Sequence, residues 1–372
     1  PFEKIVWLLD LLVVSIASDI VPLVDENRIL AHYGLRCLNA NPSEGLLSII
    51  NICKLDRTNI TIDDIVFKIG PRINAAGRMR MDEYDENDTP SGGYAAVKLL
   101  VEGDEAAATR FGGVIDGFNQ DRKSIDRSVT QEAHDYIESH PELKTRKSTV
   151  IYNPKWMKGI VGIVASRLIE TYYRPTVVLT QSNGFVTGSA RSIPGFDLYQ
   201  AVESCSDLLE NFGGHMYAAG LTMRPENVEE FTRRFNDYVE ANIDPKILVP
   251  QVEIDSMLLF SDITPSFHRE LNRFQPFGPG NNAPVFATKC VINEKGDAKL
   301  VGAEAEHLRM DLTQTQKPNT TIQTIAFSQP THYEWIRSGR PIDVCYQIVE
   351  NHYRGSVTTQ LRIKDIKRNT NK

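Results

Sequence analysis

Cysteine is scarce in this sequence of 372 residues, which contains five: Cys37, Cys53, Cys205, Cys290 and Cys345. They are scattered along the chain and form no Cys-x-x-Cys pair. This pattern excludes a disulfide framework and a cysteine-based zinc site. It is typical of the reducing cytosol, and we therefore expect a cytoplasmic protein.

A long apolar run is also missing. The run from Ile5 to Val14 is interrupted by Asp10 and is too short to cross a bilayer. It has neither the basic flank nor the cleavage site that is typical of a signal peptide. We therefore expect no membrane partner. The chain opens on Pro1 and its first methionine is Met79, from which we expect a fragment or a processed chain.

Positive charge is not in excess either, because the formal net charge is −7. This balance excludes a protein that coats nucleic acid with a globally basic surface, but it leaves room for a local basic groove. No internal repeat is present. A chain of 372 residues exceeds what one hydrophobic core supports, so the length predicts two or three domains.

Small residues surround one histidine between Phe212 and Gly220. Gly213 and Gly214 precede His215, and the segment Ala218-Ala219-Gly220 follows it. Glycine lets a ligand approach the main chain closely, and a histidine on such a loop can donate to a phosphate or to a metal-bound oxygen. A glycine turn with a surface histidine is an equal alternative from this stretch alone.

A second loop of small residues is predicted from Thr187 to Ser192, at the end of a strand. It places the hydroxyl of Ser189 beside the guanidinium of Arg191. Arginine matches phosphate oxygens with two parallel hydrogen bonds. The two loops together predict a site for a ligand that carries a phosphate.

These residues also carry a family resemblance. The Gly213-Gly214-His215 stretch resembles the signature of the DHHA1 domain of DHH-family phosphoesterases. Further stretches, in the order expected, narrow the resemblance to the RecJ single-strand-specific 5′→3′ DNA exonucleases: Ala17–Leu23 with Glu26-Asn27-Arg28, Gly70–Arg78, Trp156–Leu168, Gly188–Ser192 and Phe277–Asn281. The resemblance runs from about residue 8 to the C-terminal region.

The predicted elements agree with such an architecture. An apolar stripe with three- and four-residue spacing, behind the capping residue Asp104, predicts a long helix that bridges two domains. The segment from Thr149 to Leu179 is typical of a β-α-β unit. Many short strands after residue 250 predict a small barrel such as an OB-fold, in which Phe277, Tyr346 and Tyr353 are candidates for base stacking or for the core.

We therefore predict an α/β DHHA1-type domain joined by a long helix to a remnant of a DHH domain, followed by a C-terminal OB-like β-barrel. The predicted boundaries are 1–90 for the remnant of the DHH catalytic domain, 91–140 for the connecting helices, 141–245 for the DHHA1 domain and 246–372 for the OB-like domain.

Six other positions are candidate site residues. Asp19 is either a turn cap or a metal ligand, and the resemblance implies a ligand for Mn²⁺ or Mg²⁺. Arg72 and Arg78 flank a close-packed turn or helix start, and they either form structural ion pairs or hold a nucleic-acid backbone. Arg167 has a packing or an ion-pair role as its alternative. Asn74 and Ser166 complete the nucleic-acid-binding set, together with Ser189, Arg191, Gly213 and Gly214.

By resemblance, His215 contacts the scissile or an adjacent phosphate, and Ser189 with Arg191 holds the 5′-terminal phosphate. The resemblance implies a metal-dependent exonuclease of DNA repair and recombination that acts on single-stranded DNA with a 5′ end. The sequence has no Asp-His-His triplet and no Asp-x-Asp motif, so we expect this chain alone to be inactive. The alternatives are a phosphodiesterase for short oligonucleotides or cyclic dinucleotides, and a single-strand-binding module without activity.

Overall fold

The structure is a computed structural model that describes residues 5–79, 92–315, 317–353 and 356–369, without the side chains of residues 317–319, 352 and 353. The chain divides into two compact units. The N-terminal unit comprises Pro1–Asp19 and Tyr33–Pro250, and the C-terminal unit comprises Ile20–His32 and Gln251–Lys372. A short segment from the beginning of the chain therefore belongs with the C-terminal unit.

The first part of the chain is helical. Its α-helices are α1 (Leu9–Ser18), α2 (Asp25–Ala40), α3 (Glu44–Ile52), α4 (Ile62–Asp64), α5 (Gly70–Met79), α6 (Gly92–Val101) and α7 (Glu105–Ser139). A π-helical turn at Ile65–Ile69 joins α4 to α5, and α2 runs across the division between the two units. The Gly70–Arg78 stretch, for which a turn or a helix start is predicted, is an entire helix.

The predicted long helix is confirmed as α7. The side chain of Asp104 caps its first turn by accepting a hydrogen bond from the amide of Ala107 at 2.9 Å. Its buried positions recur every three or four residues, and they place α7 against α3 and α5 at one end and against α9 (Val161–Tyr172) at the other. This helix therefore connects the all-helical part of the N-terminal unit to its α/β part.

The α/β part contains one sheet of five strands: β1 (Thr149–Tyr152), β2 (Thr176–Ser182), β3 (Phe185–Arg191), β4 (Leu209–His215) and β5 (Ala218–Met223). Its spatial order is β1-β2-β3-β5-β4. Strands β1 and β2 pair in parallel across α9, as the predicted β-α-β unit requires, and the other neighbours are antiparallel. The helices α8 (Pro141–Lys144), α10 (Leu198–Glu203) and α11 (Val228–Asn242) complete this part.

The two faces of this sheet have different partners. Val177, Ala190 and Ala219 face a core that includes residues of α10 and α11. Ile151 and Val178 face a second core that includes residues of α7 and α9. Because side chains alternate along a strand, Ser189 and Arg191 lie on the same face as α9.

The two predicted small-residue loops are strands, which corrects the sequence interpretation. Thr187–Arg191 lies within β3, and Gly213-Gly214-His215 is the end of β4. β5 lies between the two segments and pairs with each of them. Its hydrogen bonds satisfy backbone N–H and C=O groups that an isolated glycine-rich segment would leave to solvent. Local composition favours a turn here, and pairing with β5 overrides it.

The C-terminal unit contains a sheet of seven strands: β6 (Ser256–Met257), β7 (Phe286–Ile292), β8 (Lys299–Val301), β9 (His307–Gln314), β10 (Lys317–Ala326), β11 (Ile342–Tyr353) and β12 (Ser356–Arg368). Its order is β6-β7-β11-β12-β10-β9-β8. Strand β7 also pairs with β9, so that β7, β11, β12, β10 and β9 close into a five-stranded barrel. Helices α12 (Pro265–Asn272) and α13 (Tyr333–Arg337) accompany the barrel.

Two of the aromatic candidates lie in or against the barrel core. Tyr346 is fully buried, and its hydroxyl lies 2.7 Å from that of Thr288. Burial raises the pKa of Tyr346 to about 12. Phe277 is half-buried against the same core, while the side chain of Tyr353 lies outside the described part of the chain. Tyr346 is therefore a core residue and not a stacking platform.

The four predicted domain ranges stay predictions, and the boundary between residues 90 and 91 falls outside the described residues. Within the described helices, none is long and apolar enough to cross a membrane. The predicted cytoplasmic location stays a prediction.

Candidate nucleic-acid interface

Ser189 and Arg191 meet the beginning of α9. The Nη1 atom of Arg191 donates to the Oγ of Ser189 at 2.8 Å and to the carbonyl of Ala190 at 2.9 Å. A Cβ atom added to Gly162 would lie 3.1 Å from both Nη2 of Arg191 and Oγ of Ser189. Glycine at this position therefore lets the first turn of α9 approach the hydroxyl and the guanidinium closely.

His215 lies on the same sheet face as this pair. Arg191 is the register partner of Ala218, and Ala218 is the register partner of His215 on its other side. Directly paired residues of antiparallel strands point to the same face, so both side chains project on the α9 side. Two strand spacings separate their backbones, which is about 10 Å.

The surface between them is made of very small residues. Ser189 pairs with Gly220, which pairs with Gly213. A Cβ atom added to Gly213 or to Gly220 would meet nothing within 4 Å, so this part of the face is open. The β3, β5 and β4 ends thus form a floor with Arg191 on one side and His215 on the other.

His215 is exposed and is oriented by its own strand end. The amide of Tyr217 donates to its Nδ1 at 3.3 Å, which assigns the proton of the neutral ring to Nε2. The Nε2–H group is thereby a donor for a ligand on the floor. Gly213 and Gly214 belong to the same strand end, and not to the loop that their composition predicts.

Arg78 brings a second guanidinium to Arg191. Its Nη1 donates to the carbonyl of Gly159 at 3.2 Å, immediately before α9. Burial lowers the pKa of Arg191, and the positive charge of Arg78 lowers it further. Two like charges lie close together in a partly desolvated place, and such an arrangement favours an anion as the missing partner.

Helix α7 adds residues that sequence reasoning missed. Arg122 is nearly buried, and its Nη2 donates to Oδ1 of the buried Asn119 at 3.2 Å. The buried carboxylate of Asp126 lies 3.9 Å from both Arg122 and Arg167. Burial lowers the pKa of Arg122, with Asp126 opposing this and Arg78 and Arg167 adding to it.

Four guanidiniums, those of Arg78, Arg122, Arg167 and Arg191, are therefore linked through these contacts. We call them the arginine cluster. Among the described residues, Asp126 is the one carboxylate that pairs with Arg122, and Arg167 has Glu170 as a second partner at 3.4 Å. In the sequence, the residues of α7 that hold this cluster are indicated by an interruption of the apolar stripe, because the polar residues Asn119 and Asp126 occupy buried stripe positions.

The remaining nucleic-acid candidates differ in their surroundings. Arg72 is already paired, because its Nε contacts Asp116 at 2.9 Å and its Nη1 donates to the carbonyl of Lys68. Asn74 is exposed one helical turn before Arg78 on α5. Ser166 is exposed on α9, and its hydroxyl donates to the carbonyl of Gly162 at 3.2 Å. The structure thus brings Arg78, Arg167, Ser189 and Arg191 together and gives Arg72 a structural ion pair.

Comparison with known proteins agrees with the folds of the α/β part and of the barrel. Residues 147–241 match the model of the DHHA1 domain, and residues 254–365 match the model of the RecJ OB domain. The single-stranded-DNA-specific exonuclease RecJ of Bacillus subtilis is 31% identical over 360 residues, which cover 96% of this chain. The chain belongs to the RecJ family. RecJ of Escherichia coli is 30% identical over 371 residues, again covering 96% of this chain.

The solved structures extend this agreement to the fold. Thermus thermophilus RecJ in complex with Mn²⁺ superposes with a TM-score of 0.79 at 26% identity, covering 98% of this chain and 50% of that chain. This RecJ-family chain spans about half the length of its curated relatives, 44% of the Bacillus protein and 61% of the Escherichia protein. The activity of those relatives therefore describes longer proteins.

Asp19, the predicted metal ligand, lies at the end of α1. It is exposed, and its amide donates to the carbonyl of Ser15 at 3.1 Å. Ser18, the residue before Asp19, packs on Gly70 at the beginning of α5. Along α5, Gly70 and Arg78 are about 12 Å apart. RecJ structures are described with Mg²⁺ and with Mn²⁺.

The donor set does not fit such an ion by itself. Across residues 5–79, 92–315, 317–353 and 356–369, no group of three or more His, Cys, Asp and Glu side chains could hold a metal ion. A divalent cation of this kind takes six or more oxygen ligands, of which one exposed carboxylate is a small part. We therefore derive no reaction step through a metal from these residues.

Proposed function

We propose that this chain forms the strand-binding part of a metal-dependent 5′→3′ exonuclease for single-stranded DNA. One observation carries the proposal: Arg191 and His215 project from the same sheet face on either side of a floor of glycine and alanine, with the arginine cluster beside it. The curated relatives are named single-stranded-DNA-specific exonucleases, which agrees with this site.

The residues have distinct roles in this proposal. Ser189, Arg191 and Arg78 hold the 5′-terminal phosphate, which neutralises the two adjacent guanidiniums. The next phosphodiester lies on the floor near Gly213, and Nε2–H of His215 donates to it. Arg167, Ser166 and Asn74 contact the strand nearby. Arg72 stabilises α5 through Asp116 and is at most a peripheral contact.

The role of Arg191 is testable with an Arg191→Ala variant. It should weaken binding of a 5′-phosphorylated single strand by about 1.5–3 kcal/mol, because a hydrogen bond to a charged group is lost. A 5′-hydroxyl strand should lose much less. The measurement is fluorescence anisotropy with both strands. The control is Arg233→Ala, since Arg233 lies on α11 against the opposite face of the sheet. Equal losses for the two strands would refute the 5′-phosphate role.

The same proposal expects this chain alone to bind strands and to cleave them little or not at all. Hydrolysis of a phosphodiester requires metal ions held by several ligands, and within the described residues the chain contributes Asp19 at most. The reaction itself, and its part in DNA repair and recombination, belong to the complete enzyme with bound Mn²⁺ or Mg²⁺. Digestion of 5′-labelled strands with Mn²⁺ tests this expectation. Turnover that Asp19→Ala abolishes would show that it is wrong.

The barrel favours long strands as the ligand over dinucleotides. A small-substrate phosphodiesterase has no need of the closed five-stranded barrel seen here. Affinities for a long single strand, a duplex and a dinucleotide separate these functions. A strand-binding module without a 5′-end site would bind long strands regardless of the terminal phosphate.

A further inference from the structure

The turn between β4 and β5 carries two large apolar side chains beside the candidate site. Residues 213–220 are otherwise small, apart from His215, but Met216 and Tyr217 occupy the two turn positions. Two-residue turns favour glycine, asparagine and aspartate, because these residues tolerate the backbone angles of the turn. Large apolar side chains at these positions therefore need a reason other than the turn itself.

Packing does not supply that reason for Tyr217. This residue is 49% exposed, and across the part of the chain that the structure describes it belongs to neither of the two cores that cover the faces of the sheet. Phe212 of the same strand packs against one of these cores. The hydroxyl of Tyr217 has no hydrogen-bond partner among the described residues. Its side chain is therefore available to a ligand.

The backbone of Tyr217 is held on both sides. Its amide donates to Nδ1 of His215 at 3.3 Å, and its carbonyl accepts from the amide of Ser192 at 2.9 Å. The phenol and imidazole rings lie edge to face, with centroids 6.1 Å apart and planes at 70°. In such a pair His215 covers at most one face of the phenol ring. Tyr217 thus offers an oriented aromatic face directly beside the histidine.

We propose that Tyr217 stacks on the base of the second nucleotide from the 5′ end. This inference rests on the proposed function, in which the phosphodiester between the first and second nucleotides lies near Gly213 and His215. The second nucleotide then begins beside His215, where the ring of Tyr217 lies. All of these residues belong to the N-terminal unit.

The chemistry of the ring favours a base over a further phosphate. A phosphate is bound by cations and N–H donors, which Arg191 and His215 already provide on the floor. A phenol ring offers an apolar face, which suits the planar face of any base. Stacking here also disfavours a duplex, because a paired base has to leave its own stack before it reaches Tyr217.

The test removes the ring and the base separately, in the full chain and without divalent metal ions, so that no strand is cleaved. Fluorescence anisotropy measures binding of 5′-phosphorylated oligothymidylates of about 12 nucleotides, within the range of single-strand site sizes. One strand is intact, one has an abasic second nucleotide and one has an abasic nucleotide near its 3′ end.

Tyr217→Ala should bind the intact strand about tenfold more weakly, within the range for the loss of one base–aromatic stack. The unmodified chain should bind the strand that lacks the second base about tenfold more weakly than the intact strand. Tyr217→Ala should weaken the binding of that strand no further. With the abasic nucleotide near the 3′ end, Tyr217→Ala should still cost about tenfold.

Three further variants accompany this measurement. Tyr217→Phe keeps the aromatic face and should keep most of the affinity. Phe185→Ala removes an exposed aromatic ring from the other end of β3 and should leave the binding of every strand unchanged. Thermal unfolding shows which variants fold. If Tyr217→Ala does not fold, Tyr217→Leu decides, because leucine keeps the apolar bulk without an aromatic face and should show the same loss.

Two outcomes would overturn the inference. One is an unchanged affinity of Tyr217→Ala for the intact strand. The other is a loss that is equally large with the second base present and absent, because Tyr217 would then act through His215 and not on a base. The proposed function fails separately, if the unmodified chain binds 5′-phosphorylated and 5′-hydroxyl strands equally well.

Discussion

Two adjacent glycines at the end of β4 have different reasons to be glycine. A Cβ atom on Gly214 would lie 2.2 Å from the carbonyl oxygen of Ala218, and the φ angle of Gly214 is +153°. A Cβ atom on Gly213 would meet nothing within 4 Å. The fold thus requires the glycine at 214, whereas the open floor beside His215 is the reason we assign to the glycine at 213.

The two positions predict opposite effects of alanine. Gly214→Ala should lower the free energy of unfolding by about 1–3 kcal/mol, because the methyl group overpacks against β5. Gly213→Ala should leave the stability unchanged and weaken binding of a 5′-phosphorylated strand about tenfold, which is 1.4 kcal/mol. Urea denaturation and anisotropy measure these effects.

Gly113→Ala on α7 is the matched control, because its Cβ would also meet nothing within 4 Å. It should lower neither the free energy of unfolding nor the affinity for the 5′-phosphorylated strand. Full binding by Gly213→Ala would mean that the strand does not lie on this floor.

At the scale of elements, α7 supports the candidate site with residues of its buried side. It places Asn119, Arg122 and Asp126 on its buried side, between the stripe residues Ile115 and Val129. Asp126 thereby pairs with an arginine of its own helix and with Arg167 of α9. The helix that connects the two parts of the N-terminal unit also holds the arginine cluster in place.

Removing this carboxylate should be costly. Asp126→Asn leaves the nearly buried Arg122 without its ion-pair partner, and we expect a loss of about 3 kcal/mol in the free energy of unfolding. Adding Arg122→Gln to the variant should recover most of this loss. Urea denaturation provides the measurement, and Asp135→Asn, on the exposed side of α7, is the control. Additive losses in the double variant would show that the two residues are not coupled.

At the scale of the whole molecule, the C-terminal unit contains a segment from the beginning of the chain. Leu23 is buried, its amide donates to the carbonyl of Pro279 at 2.6 Å, and its side chain occupies the space beside Gly278. Arg28 donates to the carbonyl of Phe274 at 2.8 Å. The loop from Phe274 to Asn281 is therefore ordered by residues that precede it by about 250 positions in the sequence.

This arrangement predicts where a core substitution acts. Leu23→Ala should destabilise the C-terminal unit by about 2–5 kcal/mol through the cavity it leaves. Hydrogen exchange should show lost protection in β11 and β12, with β2 and β3 little affected. Leu46→Ala, a fully buried leucine of the N-terminal unit, should give the reverse pattern. Equal losses in both sheets after Leu23→Ala would contradict this division.

Much of the architecture follows from local patterns. The stripe of α7 with its Asp104 cap, the β-α-β unit and the series of short strands after residue 250 are predicted, because period and capping are properties of neighbouring residues. The short helices α12 and α13 are not predicted, since each is too brief to show a period. The edge strand β6 has only two residues, in which almost no side-chain alternation is left to predict it.

The sequence by itself determined the family and the identity of the residues around the candidate site, because motif order, spacing and small-residue composition are written along the chain. Only the tertiary structure decided which of them meet. Pairing on both sides of β5 made strands of two expected loops and set Arg191 and His215 on one face, and the packing of α7 buried Arg122 and Asp126. Such contacts depend on register and burial between distant segments, which local composition does not encode.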